Sequence, residues 1–202
     1  MFFMSSLFDI SISKSKAEFM RVCKIRLSKY VDIGNSFLIE FGCGAGRFAN
    51  MFSRMVKNYL GVDSDEGLID IAKEIINRDN VGFEIGSMDS FSCEEKADII
   101  AYPFSFWFSK DFGAVFENAY NLLKDDGVLF VLLKKQVPFG WSDSRLNKDS
   151  KNFNEKVYLK NVKRIAMAET FLRDNKYFEI VEEWHPKGDY FILEKNTEYS
   201  RL

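Results

Sequence analysis

Three glycines and one aspartate carry the most legible chemistry in this chain. In Phe37-Leu-Ile-Glu-Phe-Gly-Cys-Gly-Ala-Gly-Arg-Phe, glycines stand at 42, 44 and 46. Lacking a Cβ, each can take a positive φ and let a ligand approach the backbone closely. A helix starting behind such a turn presents unpaired N–H groups and the positive end of its dipole. Asp63 follows Gly42 by 21 residues, at the end of the next strand-like run. A carboxylate there can accept hydrogen bonds from both hydroxyls of a ribose. The pattern predicts a nucleoside-containing ligand. A dinucleotide fold usually wants G-x-G-x-x-G, whereas the third glycine here comes one place earlier and Arg47 fills its position.

These residues need strands and helices to hold them. Apolar runs suited to strands occur at Phe37–Phe41, Tyr59–Val62, Val81–Ile85, Ile99–Tyr102 and Val128–Leu133. Helices are predicted near Gly46–Lys57, Glu66–Arg78 and Asp111–Leu123; Leu68, Ile71, Ala72, Ile75 and Ile76 share one face of the second. Strands alternating with helices of this length imply βαβ units and a parallel sheet with both faces covered. Asp125-Asp126-Gly127 should stop the last helix and turn into its strand. A further amphipathic helix is expected over 13–31 and another at Val157–Arg173. Tyr177–Trp184 and Tyr190–Glu194, joined by His-Pro-Lys-Gly-Asp, predict a β-hairpin.

Composition narrows the classes. The 202 residues carry 28 basic and 30 acidic side chains for a formal charge of -2, and 47% are hydrophobic. The apolar content, including 21 Phe, is too high for a disordered segment. Near-zero net charge argues against a general polyanion binder. Residues 134–176 nevertheless hold 11 basic against 5 acidic side chains. Cys23, Cys43 and Cys93 are too far apart to suggest a disulfide framework or a zinc site, so no metal is expected. His185 is the single histidine, which excludes mechanisms needing a histidine cluster; it is expected to be a solvated turn residue. No run approaches the roughly 18 apolar residues of a membrane span, and the N-terminus lacks the features of a signal peptide. The expectation is one soluble, cytoplasmic domain over 1–202, with a cofactor-binding core at 35–133, a lid-like loop and helix at 134–176 and the hairpin at 177–195.

Glu40-Phe-Gly-Cys-Gly-Ala-Gly followed by Leu60-Gly-Val-Asp63 resembles the first two motifs of the class I S-adenosylmethionine-dependent methyltransferases. Ile85-Gly-Ser-Met-Asp89 is similar to the family's third motif and Ala97-Asp-Ile-Ile-Ala-Tyr to its fourth strand. Leu122-Leu-Lys-Asp-Asp-Gly-Val-Leu resembles the turn into its fifth strand, and the resemblance covers about residues 35–195. It implies an α/β, Rossmann-like doubly wound sheet of seven strands, in the order 3-2-1-4-5-7-6. Strand 7 is antiparallel in that family and helices lie on both faces.

The resemblance also implies roles. S-adenosyl-L-methionine would be the cofactor. Gly42, Cys43, Gly44 and Gly46 would form the loop under its methionine part, with Glu40 orienting that loop and reaching the amino group. Asp63 would hold the ribose, Ser64 and Met88 would lie beside the adenine, and Asp89 would accept from its exocyclic amine. Asp89 could also cap a helix over 90–95. The backbone at Ala101 and Tyr102 would face the methionine end. A sulfonium methyl is already electrophilic, so transfer is an in-line displacement governed by positioning and no acid–base motif is required. Catalytic residues are therefore not assigned from the sequence.

For the acceptor, Phe104, Phe106, Trp107 and Phe108 follow strand four at the sheet edge where ligands bind, and Trp141 and Tyr158 lie beyond strand five. Phe104, Trp107, Trp141 and Tyr158 are the expected substrate-binding residues, and core filling is the competing role for each aromatic. The expected partner is a small-molecule acceptor. The basic 134–176 stretch leaves RNA methylation open, and a non-catalytic cofactor-binding subunit is a third reading.

Overall fold

The computed structural model describes residues 14–133, 155–184, 189–196 and 198–199. Seven strands form one sheet: β1 (Phe37–Phe41), β2 (Asn58–Asp63), β3 (Val81–Ile85), β4 (Ala97–Pro103), β5 (Leu123–Leu133), β6 (Phe178–Trp184) and β7 (Asp189–Lys195). Their order is β3-β2-β1-β4-β5-β7-β6. The pairs β1–β2, β1–β4, β2–β3 and β4–β5 are parallel, and β7 runs antiparallel to β5 and β6. This is the expected topology. The chain builds outward from β1 to β3, then returns to place β4 on the other side of β1. The carboxyl ends of β1 and β4 therefore flank a crevice, the place where open α/β sheets bind ligands.

Alternation along the strands feeds two cores. Leu38, Ile99, Ala101 and Phe130 face α1 (Lys14–Leu27), α2 (Ala49–Phe52) and α3 (Glu66–Ile75). Ile39, Phe41, Ile100 and Tyr102 face α4 (Phe112–Leu122) and α5 (Glu155–Asp174). With both faces covered, β1 is buried along its whole length and reads as a continuous apolar run interrupted by Glu40. Asp65 caps α3 by accepting from the Leu68 N–H at 3.1 Å, and Asp111 caps α4 by accepting from Ala114 at 3.1 Å.

Three elements depart from expectation. The helix predicted over 46–57 is a single turn, α2. Around it the backbone winds tightly, with Ala49 N–H donating to Gly46 O, Arg54 to Met51 O and Met55 to Phe52 O. These i→i−3 bonds alternate with i→i−4 bonds such as Val56 N–H to Phe52 O, and Met55 and Val56 are buried before β2 begins. Residues 90–95 form no helix; Asp89 accepts from the Ser90 hydroxyl instead of capping one. The strand expected from Val128 begins at Leu123, with a register shift that spans Asp125-Asp126-Gly127.

The N-terminal helix is tied to the far edge of the sheet. The Lys29 ammonium and the Tyr30 hydroxyl donate to Glu182 on β6, at 2.9 and 3.1 Å, and the Arg26 guanidinium pairs with the same carboxylate. Arg26 also lies over the Trp184 ring at 4.5 Å. Of the lid-like segment, 134–154 lies outside the described residues, as do Trp141 and His185. Among the described residues no helix is long and apolar enough to cross a membrane.

Candidate functional site

At the β1–β4 crevice lies a cleft of about 460 Å³, within the usual range for small-molecule sites. Its floor is the glycine loop. Gly42, Gly44 and Gly46 all have positive φ, at 70°, 53° and 79°. Glycine at 42 is demanded twice over, since a Cβ there would stand 2.4 Å from that of Ser105. Ser105 is itself pinned, its hydroxyl donating to Phe41 O at 2.5 Å. The loop after β4 thus locks onto the loop after β1. At Gly44 a side chain would instead project past Leu68 into the cleft.

Asp63 closes one end. Its Oδ2 accepts from the Gly44 N–H at 2.8 Å and its Oδ1 from Asp65 at 3.0 Å. Each oxygen retains lone-pair capacity, so the carboxylate is oriented yet still able to accept from a diol. Ser64, Gly86, Ser87 and Met88 continue this end. A carboxylate, an open glycine floor and a methionine side chain fit the nucleoside part of S-adenosylmethionine.

The opposite end is aromatic. Phe48, Phe104 and Phe108 line it with Pro103, Ser105 and Arg47. Phe104 has φ 61°, a left-handed conformation rare for a bulky residue. Its N–H donates to Leu132 O at 3.1 Å, which holds the turn in place. Its ring packs on Phe48 at 5.9 Å, and Phe48 in turn contacts Phe19 of α1 at 6.2 Å. Phe108 is 47% exposed at the mouth. The Arg164 guanidinium of α5 donates to Phe108 O at 3.1 Å, joining that helix to the same rim.

Of the residues anticipated for the cofactor, Gly42, Cys43, Gly44, Asp63, Ser64 and Met88 line the cleft. Gly46 supports the loop from behind, facing Ile76 and Phe83. Asp89 points to its neighbours: hydrogen bonds from Ser87 and Ser90 hold its carboxyl below the usual range. Ala101 and Tyr102 remain within the sheet, because β4 stays paired with β5 through Pro103, so the wall begins at Pro103. Tyr102 is fully buried, stacked on Phe41 at 5.4 Å, and its hydroxyl has no partner among the described residues. For the acceptor, Phe104 lines the cleft, whereas Trp107 is buried in the core beneath Phe108. Trp141 and the Tyr158 side chain lie outside what is described. Arg47, Phe48, Ser105 and Phe108 are cleft residues that the glycine motif does not announce.

Glu40 sits beneath the loop, 1% exposed, away from the cleft surface. The buried Tyr59 hydroxyl donates to its Oε2 at 2.8 Å. Burial pushes the Glu40 carboxyl up to about 8, and the nearby Asp63 adds to this while the Tyr59 bond opposes it. Burial, chiefly, raises the Cys43 thiol far above its ordinary range, so that it stays protonated.

Known proteins resemble this chain in sequence and in fold. The methyltransferase domain family matches residues 39–131. A protein named as a methyltransferase, 235L of Invertebrate iridescent virus 6, is 30% identical over 100 residues, 48% of this chain and 37% of that protein. Malonyl-[acyl-carrier protein] O-methyltransferase of Bacillus cereus is 28% identical over 103 residues, 50% of this chain and 38% of its own length. The chain thus matches little more than a third of the length of these relatives. In fold, it resembles a SAM-dependent methyltransferase of Aquifex aeolicus with a TM-score of 0.59, at 14% identity over 92% of this chain and 90% of the other.

Proposed function

We propose that this chain is a class I S-adenosylmethionine-dependent methyltransferase, which uses S-adenosyl-L-methionine to methylate a small-molecule acceptor. The observation that carries this reading is one continuous cleft joining the Asp63 end to the aromatic end across the glycine loop. The bound cofactor supplies an electrophilic sulfonium methyl. Asp63 holds the ribose hydroxyls, Ser64 and Met88 flank the adenine, and Gly42 and Gly44 allow close approach of the methionine part. Phe48, Phe104 and Phe108 form the acceptor wall, which limits water and offers ring faces to a cation. Glu40 acts from below, fixing β1 and β2 together through Tyr59.

A direct test is S-adenosylhomocysteine formation by the purified chain across a panel of small acids, amines, phenols and thiols. Acceptor-dependent product supports the reading; cofactor binding without any product points to a non-catalytic cofactor-binding subunit. One observation favours a second reading. Lys156, Lys160, Lys163 and Arg164 recur at helical spacing on α5, and no carboxylate stands between Glu155 and Glu169. That face could meet RNA phosphates, in which case tight, salt-sensitive binding and methylation of tRNA or rRNA would replace the small-molecule reading.

A further inference from the structure

Resting on the methyl-transfer reading above, we infer that the group methylated in this cleft is a carboxylate, held by Arg47 beside the rings of Phe48, Phe104 and Phe108. Arg47 lines the aromatic end of the cleft, its guanidinium carbon 5.7 Å from the centre of the Phe48 ring. A guanidinium presents paired N–H donors that match the two oxygens of a carboxylate and keeps its charge at any physiological pH. The surrounding rings suit the organic body of the acceptor. The cleft therefore asks for a molecule with an anionic head and an apolar frame.

The charge at this end of the cleft selects the acceptor. Among the described residues lining the cleft, only Cys43 and Asp63 join Arg47 in carrying ionisable side chains. The Cys43 thiol stays protonated and cannot take up a proton. Asp63 is tied to two backbone N–H groups at the nucleoside end. A phenol, alcohol or ammonium acceptor brings no anionic group for Arg47 to hold and must in addition lose a proton to solvent. A carboxylate is already ionised above about pH 5. One of its oxygen lone pairs forms the new C–O bond to the methyl carbon while the C–S bond breaks, its electron pair passing to sulfur. The products are a neutral methyl ester and a neutral thioether, and no proton moves. Opposite charges that attract strongly in an apolar setting are neutralised as the bond forms.

The test uses methyl-labelled S-adenosylmethionine with octanoate, phenylacetate and glutarate, against 4-methylphenol and benzylamine. Label is expected in the acids alone, released as methanol by mild base, at a rate level between about pH 6 and 9. Arg47→Gln should lower transfer at least tenfold. Its affinities for S-adenosylhomocysteine and for 5′-methylthioadenosine, which lacks the amino-acid carboxylate, should stay within threefold by calorimetry. Label in the phenol or amine, or in none of the acids while the cofactor binds, overturns the inference. So does an Arg47→Gln chain that loses S-adenosylhomocysteine but keeps methylthioadenosine, because Arg47 would then serve the cofactor's own carboxylate. A wild-type chain that binds neither nucleoside would refute the methyl-transfer reading itself, and this inference with it.

Discussion

Glu40→Gln should stabilise the ligand-free protein at neutral and alkaline pH and leave it nearly unchanged in acid. Glu40 is completely buried, and its carboxyl is raised from an ordinary 4.5 to about 8. The folded state therefore holds the proton more tightly than the unfolded chain. Wild-type stability is fully present below about 4.5 and is lost progressively as pH rises through about 8. At about 1.4 kcal/mol per pH unit, that window amounts to an upper bound of roughly 5 kcal/mol, and to roughly 3 kcal/mol at pH 7. Gln keeps an acceptor for the Tyr59 hydroxyl but has no proton to lose. Denaturant unfolding of both proteins between pH 4 and 9 isolates the effect, because every other titrating group cancels in the difference. The gap should be near zero at pH 4, widen steadily and level off above about 8. Parallel curves, or a variant that loses ground as pH rises, would show that Glu40 is ionised in the folded protein and that its burial has been misjudged.

Three more outcomes are expected. Gly42→Ala should lose about 2 kcal/mol or more and abolish S-adenosylhomocysteine binding, since the new Cβ meets Ser105 and φ is 70°; denaturation and calorimetry check this, and adding Ser105→Gly should restore only part of the stability. Phe104→Gly should be more stable than Phe104→Ala by about 1 kcal/mol, the reverse of the usual order, because a left-handed φ of 61° suits glycine alone; equal unfolding midpoints would argue against that strain. Tyr59→Phe should cost about 1–3 kcal/mol in thermal unfolding by leaving a buried carboxyl without its donor.

How much of this was legible beforehand depended on what each feature obeys. The strands of the parallel core were readable because burial on both faces makes them nearly uninterrupted apolar runs, and the hairpin because alternation and a Pro/Gly turn have few other uses. Gly42, Gly44 and Asp63 were readable because positive φ and a strand-end carboxylate are local demands. The single-turn α2 was not, because Met55 and Val56 look like one face of a longer helix until the sheet claims them. The aromatic run Phe104–Phe108 defeated local reasoning for a related reason. A left-handed residue followed by a 3-10 turn sends Phe104 and Phe108 to the cleft and Phe106 and Trp107 to the core, and hydrophobicity is the same for all four. Ser105 reaches the cleft through its hydrogen bond to Phe41, 64 residues away in the chain, which no single-segment pattern records.

The most direct test of the account is calorimetric titration of the wild-type and Asp63→Ala chains with S-adenosylhomocysteine, with NADH as the control ligand. The account predicts micromolar binding to the wild type, at least tenfold weaker binding to Asp63→Ala, and no binding of NADH. Equal affinity in the two chains, or preference for NADH, would contradict it.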